Sequence, residues 1–353
     1  MESLKRYLPV AGLLVIVICV QQLTSATDTA YYLTQLTMAS YYSLLIIGLC
    51  VLMGYAGQIS LGHAGFFAIG GYLSAALTSN DFSAYQETAV MQVMDKAGLL
   101  MQRQSLYGES LLNVQPWAAC IIAVAVAVII AFVLGIPVLK LKGHYLAMAT
   151  LGFGIIIFRI VLAAEFFGEA DGISEVPPFQ LFPGIAVNGD FADRVQNYYI
   201  AWGLLLFGLV LLLNLIHSRV GRALRSIHGS EEAAEAIGVN TARYKLYTFV
   251  ISAAFAAVAG SFLTHYNGGI GPSEASVMKS VRYVAIVAVG GMANLWGALI
   301  MGILLNFMSL RGMFGTYDDA VFGVILILFM LFAPQGILSM NIKGIIARLR
   351  SGK

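Results

Sequence analysis

The chain has 353 residues, of which 59% are apolar or aromatic and 11% are charged, with a net charge of +2 and a mean hydropathy of +0.83. Soluble domains are roughly a quarter charged, so this composition excludes a water-soluble globular protein and leaves room for about ten spanning helices of roughly 20 residues each. The short alternating segments of a membrane β-barrel are absent, and the expected fold class is all-α, a polytopic membrane protein whose helices satisfy the backbone within lipid.

The first apolar run, about 8 to 24, follows Lys5 and Arg6. A signal peptide has a similar outline, with Thr24, Ser25 and Ala26 as a weak cleavage region. A first span fits better, because the run lengthens to Leu23 with Gln21 and Gln22 at the interface. Further runs follow at about 34 to 54, 66 to 79, 116 to 139, 143 to 164, 198 to 216, 244 to 263, 280 to 290, 295 to 310 and 320 to 334. The third and eighth are short.

Between the second and third runs stand Gly54, Gly57, Gly62, Gly65, Gly70 and Gly71. At roughly 1 kcal/mol each against alanine, so many glycines disfavour a straight helix and predict a broken helix or re-entrant turn. An interrupted helix exposes backbone groups that suit a small zwitterion. Gly57 and Gly62, with the polar side chains Ser60 and His63, are therefore candidates for a translocation path. Close helix packing through glycine is the alternative. A second interruption, Gly290 to Gly297, has a loosely similar pattern and hints at an internal repeat of two halves.

With the N-terminus placed in the cytoplasm, thirteen of the 20 basic residues fall inside, six outside, and Arg159 within a span. The positive-inside rule therefore selects both termini inside. Fourteen of the 18 acidic residues fall on the outer face, where two long loops run from about 80 to 115 and 165 to 197. The second carries Glu165, Glu169, Asp171, Glu175 and three prolines; it reads either as a docking surface for a soluble partner or as a solvated loop without one.

Cys19, Cys50 and Cys120 lie in apolar runs without paired spacing, which predicts packing residues and no disulfide or zinc site. The five histidines are scattered, and no acidic residue is expected mid-span to relay protons. No phosphate-binding glycine loop, zinc motif or nucleophile triad occurs, so no catalytic residue, metal or cofactor is assigned. The lack of a mid-span acidic residue argues against a proton-coupled secondary transporter.

One inside loop, 217 to 243, is organised differently. Arg219, Arg222 and Arg225 share a helical face just past a membrane exit. Ser230 is a good N-cap, Glu231 and Glu232 favour the positive end of a helix dipole, and Gly238 supplies a left-handed stop. The pattern predicts a short helix from Glu231 to Ile237, with Asn240 or Thr241 capping the next one. Its small side chains, Ala233, Ala234 and Ala236, suit either close docking in a partner's groove or an ordinary amphipathic connector.

Glu232-Ala-Ala followed by Gly238 resembles the EAA loop by which permeases of ABC importers engage their ATPase subunits. Further segments sharpen the resemblance: Gly54 to Phe66, Gly143 to Gly154, Ala234 to Thr241, Val289 to Gly297, and Ala333-Pro-Gln-Gly-Ile337. Together they resemble the M-type permease of high-affinity branched-chain amino acid ABC importers, in order, from about residue 35 to 340. The resemblance implies a single transmembrane permease domain, 1–353, in the bacterial inner membrane, with 217–243 as an ATPase-coupling loop (Glu231, Glu232, Ala233, Ala234 and Gly238). It adds Thr150 and Gly152 to the candidate path. The implied partners are a second, homologous permease, two cytoplasmic ATPases that bind the ATP, an extracytoplasmic amino-acid-binding protein and membrane lipid, with no nucleic acid. Two departures stand out. Thr248 occupies the position ten after Gly238 where the broad EAA pattern has isoleucine, and no Leu-Pro follows. Ile155 and Phe158 replace an acidic residue and an arginine, with Arg159 one step on, close enough to its span's outer end to snorkel. A permease for urea or short amides is the sister reading, and a stand-alone secondary transporter is the rival from another class.

Overall fold

The apolar runs become helices because a backbone inside lipid has only itself to bond with. The computed structural model describes residues 2–104, 110–141 and 143–332. In chain order it has α1 (Glu2–Ala26), α2 (Tyr32–Ala56), α3 (His63–Ser79), α4 (Ala89–Lys96), α5 (Pro116–Val138), α6 (His144–Ala163), α7 (Arg194–His217), α8 (Arg219–Gly229), α9 (Glu231–Ala236), α10 (Thr241–Asn267), α11 (Val277–Gly290), α12 (Leu295–Leu310) and α13 (Asp318–Phe332). Each of the ten apolar runs has its helix. Among the described residues, six helices are long and apolar enough to cross a bilayer unaided: α1, α2, α5, α6, α7 and α10. The other four, α3, α11, α12 and α13, have 17, 14, 16 and 15 residues. The Ala333–Ile337 segment, Lys142 and the C-terminal basic residues lie outside the described residues.

α2 is the centre of the bundle: 89% of its apolar window is buried, against 17% for α1 at the periphery. α3 and α10 run side by side in the same direction and are in backbone contact. A Cβ at Gly70 would overlap the carbonyl of Ala257, and one at Gly260 the carbonyl of Phe67. Small residues at both positions are what allow this approach. Two buried histidines pin the pair at two levels. His63 of α3 reaches Ser252 of α10 (Nε2 to Oγ, 2.7 Å), and Ser74 of α3 reaches His265 of α10 (Oγ to Nε2, 2.8 Å). His265 donates from Nδ1 to the Pro177 carbonyl at 2.7 Å, so its Nε2 accepts from Ser74.

The long loops hold more structure than their composition suggests. The 80–115 segment contains α4 and an antiparallel pair, β1 (Leu100–Gln104) with β2 (Ser110–Val114). The 165–197 segment contains β3 (Ile173–Ser174), β4 (Phe179–Phe182) and β5 (Ile185–Val187); β3 pairs with β6 (Gly269–Ile270), just past α10. Strands this short give almost no periodic signal, which is why sequence reading leaves them as loops. Arg103 donates to the Glu175 carbonyl at 3.0 Å and joins the two segments. Cys50 and Cys120 are buried as expected, whereas Cys19 is exposed on α1.

Two predictions follow from these contacts. Gly260→Leu forces a side chain into the Phe67 backbone and lowers the thermal stability of the purified protein by about 3 kcal/mol or more, while Gly152→Leu, with nothing among the described residues within 4 Å of its Cβ, leaves the melting curve within about 0.5 kcal/mol. Asp81 anchors the β1–β2 segment, and its carboxyl is held below the ordinary carboxylate value, first by the Ser83 hydroxyl, then by the backbone N–H groups of Leu112 and Ser83. A depressed carboxylate contributes stability above its unfolded value, near pH 3.9, and loses it as pH falls through the folded one. Pepsin cleavage of this segment, normalised to pepsin's activity on an unstructured peptide at each pH, therefore rises gradually as pH drops below about 4, and Asp81→Asn removes this rise.

Candidate functional site: a broken helix above a surface helix

α2 stops because Gly57 adopts a left-handed conformation, φ +67°, at its C-cap. Residues 57–62 are non-helical, and α3 starts at His63, well up inside the bundle. Its level is fixed by neighbours: Phe67 stacks on Tyr42, ten residues into α2, and the Ala64 N–H donates to Ser280 Oγ at 3.1 Å. α3 is thus a half-helix, and the interrupted-helix reading of the sequence holds at Gly57 and Gly62. Glycine packing holds at Gly54, Gly70 and Gly71, so both alternatives are realised, at different glycines.

The break is held by side chains from three other helices. Leu61 N–H donates to Thr150 Oγ1 of α6 at 3.0 Å, and a Cβ at Gly62 would crowd the Thr150 carbonyl. Ser60 Oγ lies 2.9 Å from His63 Nδ1, so Ser60, His63 and Ser252 form one buried chain. Ser60 and His63 are joined, and Gly62 and Thr150 pack together, at the break, while Gly57 lies against His228 of α8. Gly152 does not join them; it faces away from the break. Sequence reading also missed Gln58, whose amide is buried with no partner on either polar atom among the described residues. An orphaned amide inside a helix break is a ready hydrogen-bonding group for a polar solute. The second break, 291–294, packs against the last turns of α2. Cys50 Sγ approaches the Met292 carbonyl at 3.6 Å, and a Cβ at Gly54 would overlap that carbonyl.

Below the first break lie α8 and α9. Ser218 and Ser230 cap them by accepting from Val220 and Ala233 N–H, at 3.1 and 3.2 Å. Gly238 stops the turn at φ +86°, and Asn240 caps α10 by accepting from Arg243 N–H at 3.0 Å. This punctuation is as the sequence predicts, with α9 closing one residue earlier, at Ala236. Ala234 packs inward in one cluster with Leu224 and Ile227 of α8 and with Ala56, the last residue of α2. Glu231 pairs with Lys245 of α10 at 2.5 Å, and Glu235 accepts from Thr241 Oγ1 at 2.6 Å. Ala233, Glu232 and Gly238 are exposed, and so is Ile237, at 76%. An apolar side chain so exposed, one turn from Ala233, belongs to the outward face; the i, i+4 spacing was the available signal.

Residues 31–330 match the family described as branched-chain amino acid transport system / permease component. This chain belongs to that family. The high-affinity branched-chain amino acid transport system permease protein LivM of Escherichia coli K12 is 32% identical over 86% of this chain and 69% of the relative, as is LivM of Salmonella typhimurium LT2. The LivH permease of Escherichia coli K12 is 29% identical over 87% of this chain and 96% of its own length. No solved structure matches. The match to this permease family covers both breaks, α8 and α9, and fits a multi-pass, helical inner-membrane protein.

Removing the support of the break has a definite cost. Thr150→Val leaves the Leu61 N–H unpaired, which lowers stability by about 1–3 kcal/mol, and Thr150→Ser restores it; thermal unfolding of the three purified proteins checks this.

Proposed function

We propose that this permease is one of two homologous membrane subunits of an ATP-driven importer of branched-chain amino acids. α9 lies on the cytoplasmic face and seats in an ATPase subunit, with a binding protein delivering the amino acid to the opposite face. The observation that carries the reading is the cluster joining Ala234 of α9 to Ala56 at the lip of the helix break. Force applied to α9 is transmitted directly to the interrupted helix, and through the Glu231–Lys245 pair to α10. The outward face, Ala233 and Ile237 with Gly238 at its end, is small and apolar, as a groove-seated helix requires. The excess of basic residues at the α8–α9 end supports a cytoplasmic placement of that end and of both termini. The partner subunits supply ATP binding, and this chain supplies the path.

Ligand-driven closure of the ATPase pair then shifts the permease between outward-open and inward-open states, which requires a differential contact between α9 and the ATPase in the two states. The relatives' transport names supply the substrate class.

In the complete importer reconstituted in liposomes, Ala233→Trp and Ile237→Glu lower ATP-driven leucine uptake about tenfold or more, since each loses well over 1.4 kcal/mol of docking, while folded permease is recovered in normal amounts. Ala234→Trp instead lowers the yield of folded protein, because Ala234 faces inward. Full uptake by the Ala233 and Ile237 variants sinks the assignment of α9.

A further inference from the structure

A second feature, remote from α9, is a half-open cavity of about 350 Å3 lined by α2, α11, α12 and α13. Its polar wall is Tyr42, Lys279, Arg282, Asn306, Ser309 and Asp318, and Met278 and Leu310 supply apolar surface. The sequence places Lys279, Arg282 and Asp318 in or beside outer loops. The structure puts them deeper, because Tyr42 stands ten residues, about 15 Å of helix, into α2, and Lys279 reaches it. Lys279 Nζ pairs with Glu274 at 2.9 Å and lies 4.9 Å from the centre of the Tyr42 ring. Arg282 pairs with Asp318, is 3.5 Å from Asp319, and donates to Ser309 Oγ at 3.1 Å.

Ionised side chains at such depth are costly, and they mark a solute pathway more often than a structural clamp. Three observations point to a solute here. Among the described residues, two cations face three carboxylates, one negative charge in excess. Asp318 Oδ1 and Glu274 Oε2 are buried without a partner among the described residues. Lys279 has three donors, of which Glu274 and Tyr42 take two. The cavity wall thus carries the carboxylates of Asp318 and Asp319 and, among the described residues, a Lys279 donor without a partner, with an apolar surface beside them. The volume lies at the small end of ligand pockets. Ser280, next to Lys279, also caps α3 at Ala64, so an occupant here sits one residue from the support of the broken helix.

We propose that this cavity is a binding station for a small apolar amino acid as its zwitterion. The ammonium group is taken by the Asp318 and Asp319 carboxylates, the carboxylate by Lys279 with Arg282, and the side chain by Met278 and Leu310. The proposal rests on the transport reading above and adds where the permease itself first holds its cargo.

The test is radiolabelled leucine binding to the complete importer in nanodiscs without its soluble binding protein. The native complex binds leucine saturably. Isocaproate, which lacks the ammonium, and isoamylamine, which lacks the carboxylate, fail to displace it, whereas isoleucine and valine succeed. Asp318→Asn and Arg282→Gln each weaken binding about tenfold or more, the effect of losing one charge-assisted hydrogen bond. Displacement by the singly charged analogues, or unchanged binding in both variants, overturns the proposal, and the analogue arm needs no variant to fold. ATP-driven leucine uptake without saturable binding overturns the cavity alone; no uptake of leucine, isoleucine or valine by the native importer overturns the transport reading itself.

Discussion

The close approach of α3 to α10 is the constraint from which the rest of the architecture follows. Without side chains at Gly70 and Gly260, the two backbones meet, and the histidines on each helix find serines on the other. This contact holds a half-helix in the middle of the bundle, where its unpaired N-terminal backbone groups would otherwise be ruinous. Thr150 and Ser280 then satisfy Leu61 and Ala64. A continuous helix would need none of this; an interrupted one needs all of it.

In the proposed importer, α10 has a mechanical role that rests on the same arrangement. Its 27 residues span about 40 Å, from the Glu231–Lys245 pair beside α9 to His265 beneath the β3–β6 loops. Along that length it carries Ser252, Gly260 and His265, the contacts that hold α3. A push on α9 has two routes into the bundle, along α10 and through Ala56 into the first break. Both converge on the same half-helix, and the charged cavity beside Ser280 lies near its first turn.

Much of this was legible in the chain. The ten apolar runs located the helices, because uncharged runs in lipid have few other conformations available. Ser230, Gly238 and Asn240 located α9, because capping is a local interaction between residues close in sequence. Gly57 and Gly62 announced the break. Properties set by residues far apart in sequence stayed hidden. Nothing local distinguishes Ala233, which faces out, from Ala234, which is 1% exposed; the difference is made by Leu224, Ile227 and Ala56. Gly152 belongs to the same motif as Thr150, yet α6 turns it away from the break. The surroundings of Asp318 and Lys279 also escaped, because their partners Arg282, Ser309 and Tyr42 come from other helices, and hydropathy records helix length but not which helices meet.

The central claim is that α3 and α10 form one rigid unit that moves with α9. Pulsed electron-spin distance measurement between labels at Ser79, the end of α3, and Tyr247, near the start of α10, tests it in the complete importer with and without trapped ATP. The account predicts the same distance in both states. A change of more than about 2 Å, the size of a helix shift at a moving interface, would show the two helices sliding past each other and contradict it.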